Sequence, residues 1–314
     1  MEFLVSIILQ SGRTALEMAI YLLIPVLVVM LSLMKLLEAK GVLTWASNKL
    51  APVSSVFGIP GLGVFAMVKL MFVSFAAPIA TLSIMDKGQT VNRQIAATLA
   101  MLLVMSQANM VYPLVVVGLN ASFIYMSSIV GGLFAAAVTY YLVYRSEDST
   151  ELSTEAGLVS LPSKEKNKKT VIQILNEGGQ EGLLLVFSMV PLLILSLCVV
   201  NLLNQFGVID LIIPLLTPFL GLIGLPDSVV LPLVTKFIAG GTAFVGVTID
   251  LINQGAITAT ELNRMAGIAL NPFDVVGVAL LLTAGRRVQA VLKPAIIGAV
   301  AGVVLRAVIH LVVF

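Results

Sequence analysis

The chain has 314 residues, of which 59% are hydrophobic and 11% charged, against about 25% charged in an average soluble domain. A chain of this length cannot hide so much apolar surface in soluble cores, and a net charge of +2 is too small to attract a polyanion. The balance excludes a soluble enzyme, a nucleic-acid binder and a disordered protein. It leaves a polytopic membrane protein with room for about six to ten crossings of about 20 residues each.

The first run, MEFLVSIILQ, lacks a basic flank and does not read as a cleaved leader. Apolar segments follow at 15–37, 62–85, 94–118, 121–144, 182–205, 228–254, 263–285 and 288–314, with shorter stretches at 42–57 and 208–223. Between 145 and 181 the chain turns to Ser, Glu and Lys, a composition that reads as a polar linker. It separates 1–144 from 182–314. Cys198 and His310 each stand alone of their type within apolar runs, so no disulfide, metal site or other cofactor is expected. His310 reads as an interfacial residue.

The two halves read as copies. A shift of 166 residues pairs Gly12 with Gly178, Pro25 with Pro191, Gly41 with Gly207, Pro52 with Pro218, Gly58 with Gly224 and Pro60 with Pro226. One residue later, at 167, Lys69 meets Lys236, Thr81 meets Thr248 and Gly88 meets Gly255. Coincident Gly and Pro mark particular backbone geometry, and leucine matches do not. Internal repeats of this kind are typical of secondary transporters.

In each copy one segment carries a lysine and then a break: Lys69 before Ser74–Pro78, and Lys236 before Gly240–Gly241. Irregular backbone at membrane depth needs protein or a watery cavity around it, so both segments read as re-entrant hairpins. The shorter stretches 42–57 and 208–223 then lie in the membrane interface. Each half spans three times, and the halves are inverted. The basic residues agree: Lys35, Lys40, Lys49, Lys87, Arg93, Arg286, Arg287, Lys293 and the linker lysines fall on one side with the linker, placed in the cytoplasm. Outside the hairpins, only Arg13, Arg264 and Arg306 fall opposite, together with Asp210, Asp227 and Glu261. The expected architecture is an all-α polytopic membrane protein, an inverted repeat of span, interfacial helix, re-entrant hairpin and two spans, in the inner membrane.

The stretch GGTAFVGVTIDLINQGAITATELNRMAGIALNPF, Gly240 to Phe273, resembles the hairpin, loop and broken helix of concentrative nucleoside transporters. There, a Gly-Gln-Thr-Glu-like tip precedes a Thr-Arg-Ser-Glu-Leu-like helix start and a break. Here the matching parts are Gly241-Thr242, Thr258 to Leu262 and Asn271-Pro272. The chain is more closely similar to the nucleoside recognition, or Gate, proteins, which include the spore-maturation membrane proteins and the gate regions of ferrous-iron transporters, with one Gate copy per half. The family's ribose-contacting acid would fall at Ala243, and the first tip reads Ala76-Ala77-Pro78. The resemblance therefore implies a fold more than it implies nucleosides.

Broken helices leave free N–H and C=O groups that bind ions and small polar solutes. Breaks are expected at Ser74–Pro78, at Ser106 to Asn109, at Gly240–Thr242 and at Asn271-Pro272. The candidate solute-binding residues are Lys69, Ser74, Ser106, Gln107, Asn109, Lys236, Gly241, Thr242 and Asn271, and the candidate ion-coupling residues are Asp250 and Asp274. A lysine at membrane depth costs about 2.5–3.5 kcal/mol on insertion scales and calls for a partner. With a tip near Ala243, Asp250 lies opposite Lys236, and Lys69 is left as the freer cation. The expectation is a transporter of a small polar or anionic solute, compatible with proton or sodium coupling. Its partners are the lipid bilayer, the solute and, compatibly, further copies of itself, with no nucleic acid. The alternative is a non-transporting scaffold of the spore-maturation type.

Overall fold

The computed structural model describes residues 2–74, 76–144, 170–208, 211, 214, 218, 220–221 and 224–314. Most of the expected linker and of the expected interfacial stretch 208–223 lies outside these, including Asp210 and the linker lysines. Among the described residues all regular structure is helical. Five helices are long and apolar enough to cross a membrane: α1 (Leu4–Ala39), the pair α5 (Asn92–Val104) and α6 (Ala108–Val115), α7 (Ala121–Val143), α8 (Val171–Gln205) and α14 (Leu292–Val313). Between them lie α2 (Val42–Ser55), α3 (Gly61–Phe72), α4 (Ala77–Lys87), α9 (Val230–Ala239), α10 (Gly241–Asn253), α11 (Ala259–Ala269), α12 (Val275–Leu282) and α13 (Arg286–Ala290).

Two helices outrun their apolar segments. α1 begins before residue 15, and α8 begins at Val171, inside the stretch expected to be linker. At 36 residues α1 is longer than the roughly 20 needed to span. Its turn widens to a π-helix over Ala19–Leu23, just before Pro25, because a prolyl residue has no N–H for the ladder and a wider turn absorbs the loss.

α1 and α8 run antiparallel. Ser32 Oγ donates to the Leu175 carbonyl at 2.8 Å, Lys35 pairs with Glu181 at 2.7 Å, and Asn201 Nδ2 reaches Ser11 Oγ at 2.9 Å. The helices approach so closely that a Cβ on Gly182 would stand 2.9 Å from Val28 Cα. Glu181 is thus a partner of α1. α7 and α14 are also antiparallel: Gly302 packs on Ala135, His310 on Ser127, and the rings of Phe314 and Phe123 stack edge to face at 4.9 Å.

Polar ties define the two ends of the bundle. At one end Arg93 lies over the Tyr140 ring at 3.8 Å, Tyr141 Oη donates to the Val56 carbonyl at 2.6 Å, and Arg287 donates to the carbonyls of Asp86, Gly88 and Thr90. At the other end Asn263 bonds the Asn120 N–H and the Gly118 carbonyl, and Arg264 donates to the Gly224 carbonyl at 2.5 Å. The α5–α6 rod runs between them. The α3–α4 pair starts beyond Val56 and stops at Lys87, so both its termini lie at the first end. The α9–α10 pair starts beyond Gly224 and stops before Ala259, which touches Gly118, so both its termini lie at the second.

Candidate functional site

The site forms where helices stop. α5 ends at Val104, and Met105 and Gln107 have extended backbone before α6 restarts. α11 ends at Ala269, and the chain passes through Leu270, Asn271, Pro272 and Phe273 before Asp274 opens α12. Each stop strands carbonyls on one side and N–H groups on the other. The two stops lie side by side, because Ser106 Oγ in the first donates to the Leu270 carbonyl in the second at 2.7 Å.

One residue joins them. Arg306 of α14 has no exposed surface. Its Nη1 donates to the Val104 carbonyl and, at 3.2 Å, to the Leu270 carbonyl, and its Nη2 donates to Ser106 Oγ at 2.8 Å. Ser128 Oγ of α7 lies 2.8 Å from Ser106 Oγ and accepts the Ser106 N–H at 3.1 Å. A planar guanidinium presents several donors in fixed directions, which suits carbonyls arriving from two broken helices. The sequence counted Arg306 only as a charge opposite the linker; here its side chain is buried between the two breaks. His310, one turn on, is equally buried: its ring nitrogens meet Ser127 Oγ at 2.8 Å and the Asn263 carbonyl at 2.6 Å.

The second hairpin inserts its tip beside this cluster. Its break is a single residue, Gly240, with φ +86°, a conformation open to glycine at little cost. A side chain on Gly241 would meet Met110 Sδ of α6 at 2.5 Å, and one on Gly240 would meet Val276 of α12 at 3.2 Å. The tip is therefore held between the two halves of the chain. One turn before it, Lys236 has no exposed surface and pairs with Asp274 Oδ2. Asp274 Oδ1 accepts the Gly277 N–H at 2.7 Å, so the same carboxylate caps α12. Lys236 therefore pairs with Asp274 and not with Asp250. The expected pairing assumed a tip near Ala243. With the turn at Gly240, Asp250 lies ten residues beyond the tip, where it accepts from Gln254 at 2.9 Å.

Lys69 is not a free cation either. Its Nζ meets Glu38 Oε1 of α1 at 3.0 Å and lies over the Phe65 ring at 4.9 Å. At the 167-residue shift that relates the two lysines, Asp274 corresponds to Gln107, which starts α6 without a side-chain cap. With no acid there, the first hairpin's lysine takes its partner from α1. The Lys69 carbonyl accepts the N–H groups of Val73 and Ser74 where α3 stops, and Tyr112 Oη of α6 donates to the Phe72 carbonyl at 3.0 Å.

Of the remaining candidates, Asn109 is buried in the first turn of α6 and its Oδ1 has no partner. Gln107 is buried beside it, and Ser74 and Thr242 are half-buried near the two hairpin breaks. Asn271 spends its amide on its own break, donating to Ile268 and accepting from Phe273. An open groove of about 370 Å³ runs along α12, lined by Phe273, Asp274, Val275, Val278, Ala279 and Leu282, so the capped end of α12 opens onto an apolar trough. Sequence reasoning missed Arg306, Ser128 and His310. A signal was available: Gly298, Gly302, Arg306 and His310 recur every fourth residue, which places them on one helix face, and two small residues on that face mark close packing.

Comparison with known proteins bears on the fold. Residues 186–291 match the Gate family, described as nucleoside recognition. A 76-residue stretch is 41% identical to spore maturation protein B of Bacillus subtilis, covering 24% of this chain and 42% of that protein, so the chain spans under half the length of this curated relative. Among solved structures, the concentrative nucleoside transporter CNTnw in an inward-facing substrate-bound state superposes with a TM-score of 0.69 at 15% identity, over 92% of this chain and 73% of that one. A CNTnw variant in an outward-facing state gives 0.68 at 14% identity, over 92% and 75%. The chain is a polytopic all-α membrane protein with the fold of the concentrative nucleoside transporters, and residues 186–291 of its second half match the Gate, or nucleoside recognition, family.

Proposed function

We propose that the chain is a secondary transporter, not an enzyme, that moves a small polar or anionic solute, nucleoside-like in size, by alternating access between two inverted Gate repeats. The observation that carries this reading is the meeting of two broken helices at one buried polar cluster, with a hairpin tip packed on Met110 of α6 and Val276 of α12, the helices that restart after the two breaks, and the Asn109 carbonyl oxygen unpartnered in the first turn of α6. Discontinuous helices of this kind form solute sites at the bilayer midplane in transporters. The antiparallel pairing of α1 with α8 and of α7 with α14 supports inverted repeats. So does the recurrence of helix starts: Asn92 and Ala259, and Ala108 and Val275, lie 167 residues apart. The common end of each helix pair supports re-entrant hairpins. The gathering of Lys87, Arg93, Arg286 and Arg287 at one end supports its placement, with the linker, on the cytoplasmic side.

Cysteine labelling tests the topology. Lys87→Cys, Arg286→Cys and a linker cysteine at Ser149→Cys should react from one face, and Asp227→Cys from the other; a shared face for all four would end the inverted arrangement. For the site, Asn109→Ala should lower uptake of the transported solute in proteoliposomes several-fold without lowering expression, and unchanged uptake removes Asn109 from it. The solute should emerge from a thermal-shift screen of nucleosides, amino acids and organic anions, because a ligand of the folded state raises stability by mass action.

The second reading, a non-transporting scaffold, has its own support in the spore maturation relative and in the lack of exposure of Arg306 and Lys236. A screen in which no solute shifts the melting, together with uptake indistinguishable from empty liposomes, selects it.

A further inference from the structure

The carboxylate of Asp274 is fully engaged. Oδ1 takes the Gly277 N–H at the start of α12, and Oδ2 takes the Lys236 ammonium. The two charged side chains are 0% and 2% exposed. They come from different elements: Lys236 from α9, one turn before the Gly240 tip, and Asp274 from the break ahead of α12. The tip glycine lies against the same acid, since a Cβ on Gly240 would stand 3.6 Å from Asp274 Oδ1. An isolated carboxylate at this depth would be strongly disfavoured, so either a cation or a bound proton must accompany it when the hairpin is docked, and here the Lys236 ammonium does so.

We propose that Lys236 is a tethered cation filling a site that would otherwise hold a small mobile one. The second hairpin carries its own counter-charge into the break, and Asp274 therefore binds no sodium in the native protein. Truncating the lysine should convert the internal ion pair into a vacant site for a monovalent inorganic cation or a primary alkylammonium. This follows from the geometry of the pair and does not depend on the transport reading. It narrows the coupling compatible with that reading by removing sodium at Asp274.

The test uses the full chain in detergent or nanodiscs and reads thermal stability. The wild-type midpoint should be the same in sodium chloride and in N-methylglucamine chloride at equal ionic strength. Lys236→Ala removes the three carbons and nitrogen of n-propylammonium, so this variant should melt lower by several degrees. It should recover a large part of the loss in n-propylammonium, or in sodium, but not in n-propanol or N-methylglucamine. Lys236→Met combined with Asp274→Asn, which leaves no charge to balance, should fold and respond to none of these additions.

A sodium-dependent rise in the wild-type midpoint that disappears in Asp274→Asn overturns the proposal, because a mobile cation would then already share the acid. So does a Lys236→Ala protein indifferent to both cations, or one recovered folded in neither while the double variant folds. Failure of the double variant under all conditions also overturns it, since the pair would then be required for more than mutual neutralisation. Uptake enters none of these readouts, so their outcome is separate from the success or failure of the transporter reading.

Discussion

Asp274→Ala should be among the most damaging single substitutions in this chain. It leaves the Lys236 ammonium, which has no exposed surface, without its partner, and breaking a buried ion pair from one side costs about 3–5 kcal/mol. It also removes the cap that accepts the Gly277 N–H, which adds about 1 kcal/mol. Together these approach the whole stability of a marginal domain, about 5–15 kcal/mol. Lys236→Met with Asp274→Asn should be far milder than Asp274→Ala alone. Replacing both members of a buried pair is often neutral, and asparagine caps a helix about as well as aspartate. Asp250→Ala is the control, since Asp250 accepts from Gln254, four residues along the chain. Melting curves of the four proteins decide the point: an Asp274→Ala midpoint within a degree or two of Asp250→Ala would mean that the pair contributes little to the fold.

The second large effect concerns Arg306. The wild-type arrangement is a contest of terms. Burying a charge in a span costs about 2.5–3.5 kcal/mol on insertion scales, while hydrogen bonds from a charged donor return about 1.5–3 kcal/mol each. Arg306 makes three to the stranded ends of two broken helices: Val104 O, Leu270 O and Ser106 Oγ. Arg306→Leu should therefore lose stability by a net amount of about 2–5 kcal/mol. Arg306→Lys should recover little of it, because an ammonium is a single point of charge and cannot reach both breaks with fixed donors. The measurement is the thermal midpoint of each variant with protease sensitivity alongside. An Arg306→Leu protein as stable as wild type would show that the stranded carbonyls find other donors. Rescue by lysine would show that charge, and not the fork of donors, is what the site requires.

These two predictions rest on residues that the sequence revealed to different degrees. Lys236 and Asp274 were both legible, one as a lysine at membrane depth and the other as an acid following Asn271-Pro272. Their pairing was not legible, because a shift of the hairpin turn from Ala243 to Gly240 changes which acid lies within reach. A turn position within a glycine pair is set by what the tip packs against, here Met110 and Val276. Both of those come from distant segments.

Lys69 illustrates the same limit. The expected repeat related it to Lys236, but the partner differs, because the residue 167 positions before Asp274 is Gln107 and the acid that Lys69 meets is Glu38 on α1. Arg306 was counted among the few basic residues on the side opposite the linker, the minority under the rule that basic residues sort by side. Its actual role depends on two helix stops, 36 and about 200 residues away, lying together in space.

The sequence by itself determined the solvent and the rhythm of this protein. A hydrophobic share of 59% commits the chain to the bilayer, because no soluble core could absorb it. Gly and Pro, whose backbone limits are local, mark near the right residues where its helices break. The tertiary structure decided which charges meet. Ion pairs and capped carbonyls depend on distances between segments far apart in the chain, and moving a turn by three residues displaces a side chain along a helix by about 4.5 Å, enough to exchange one partner for another.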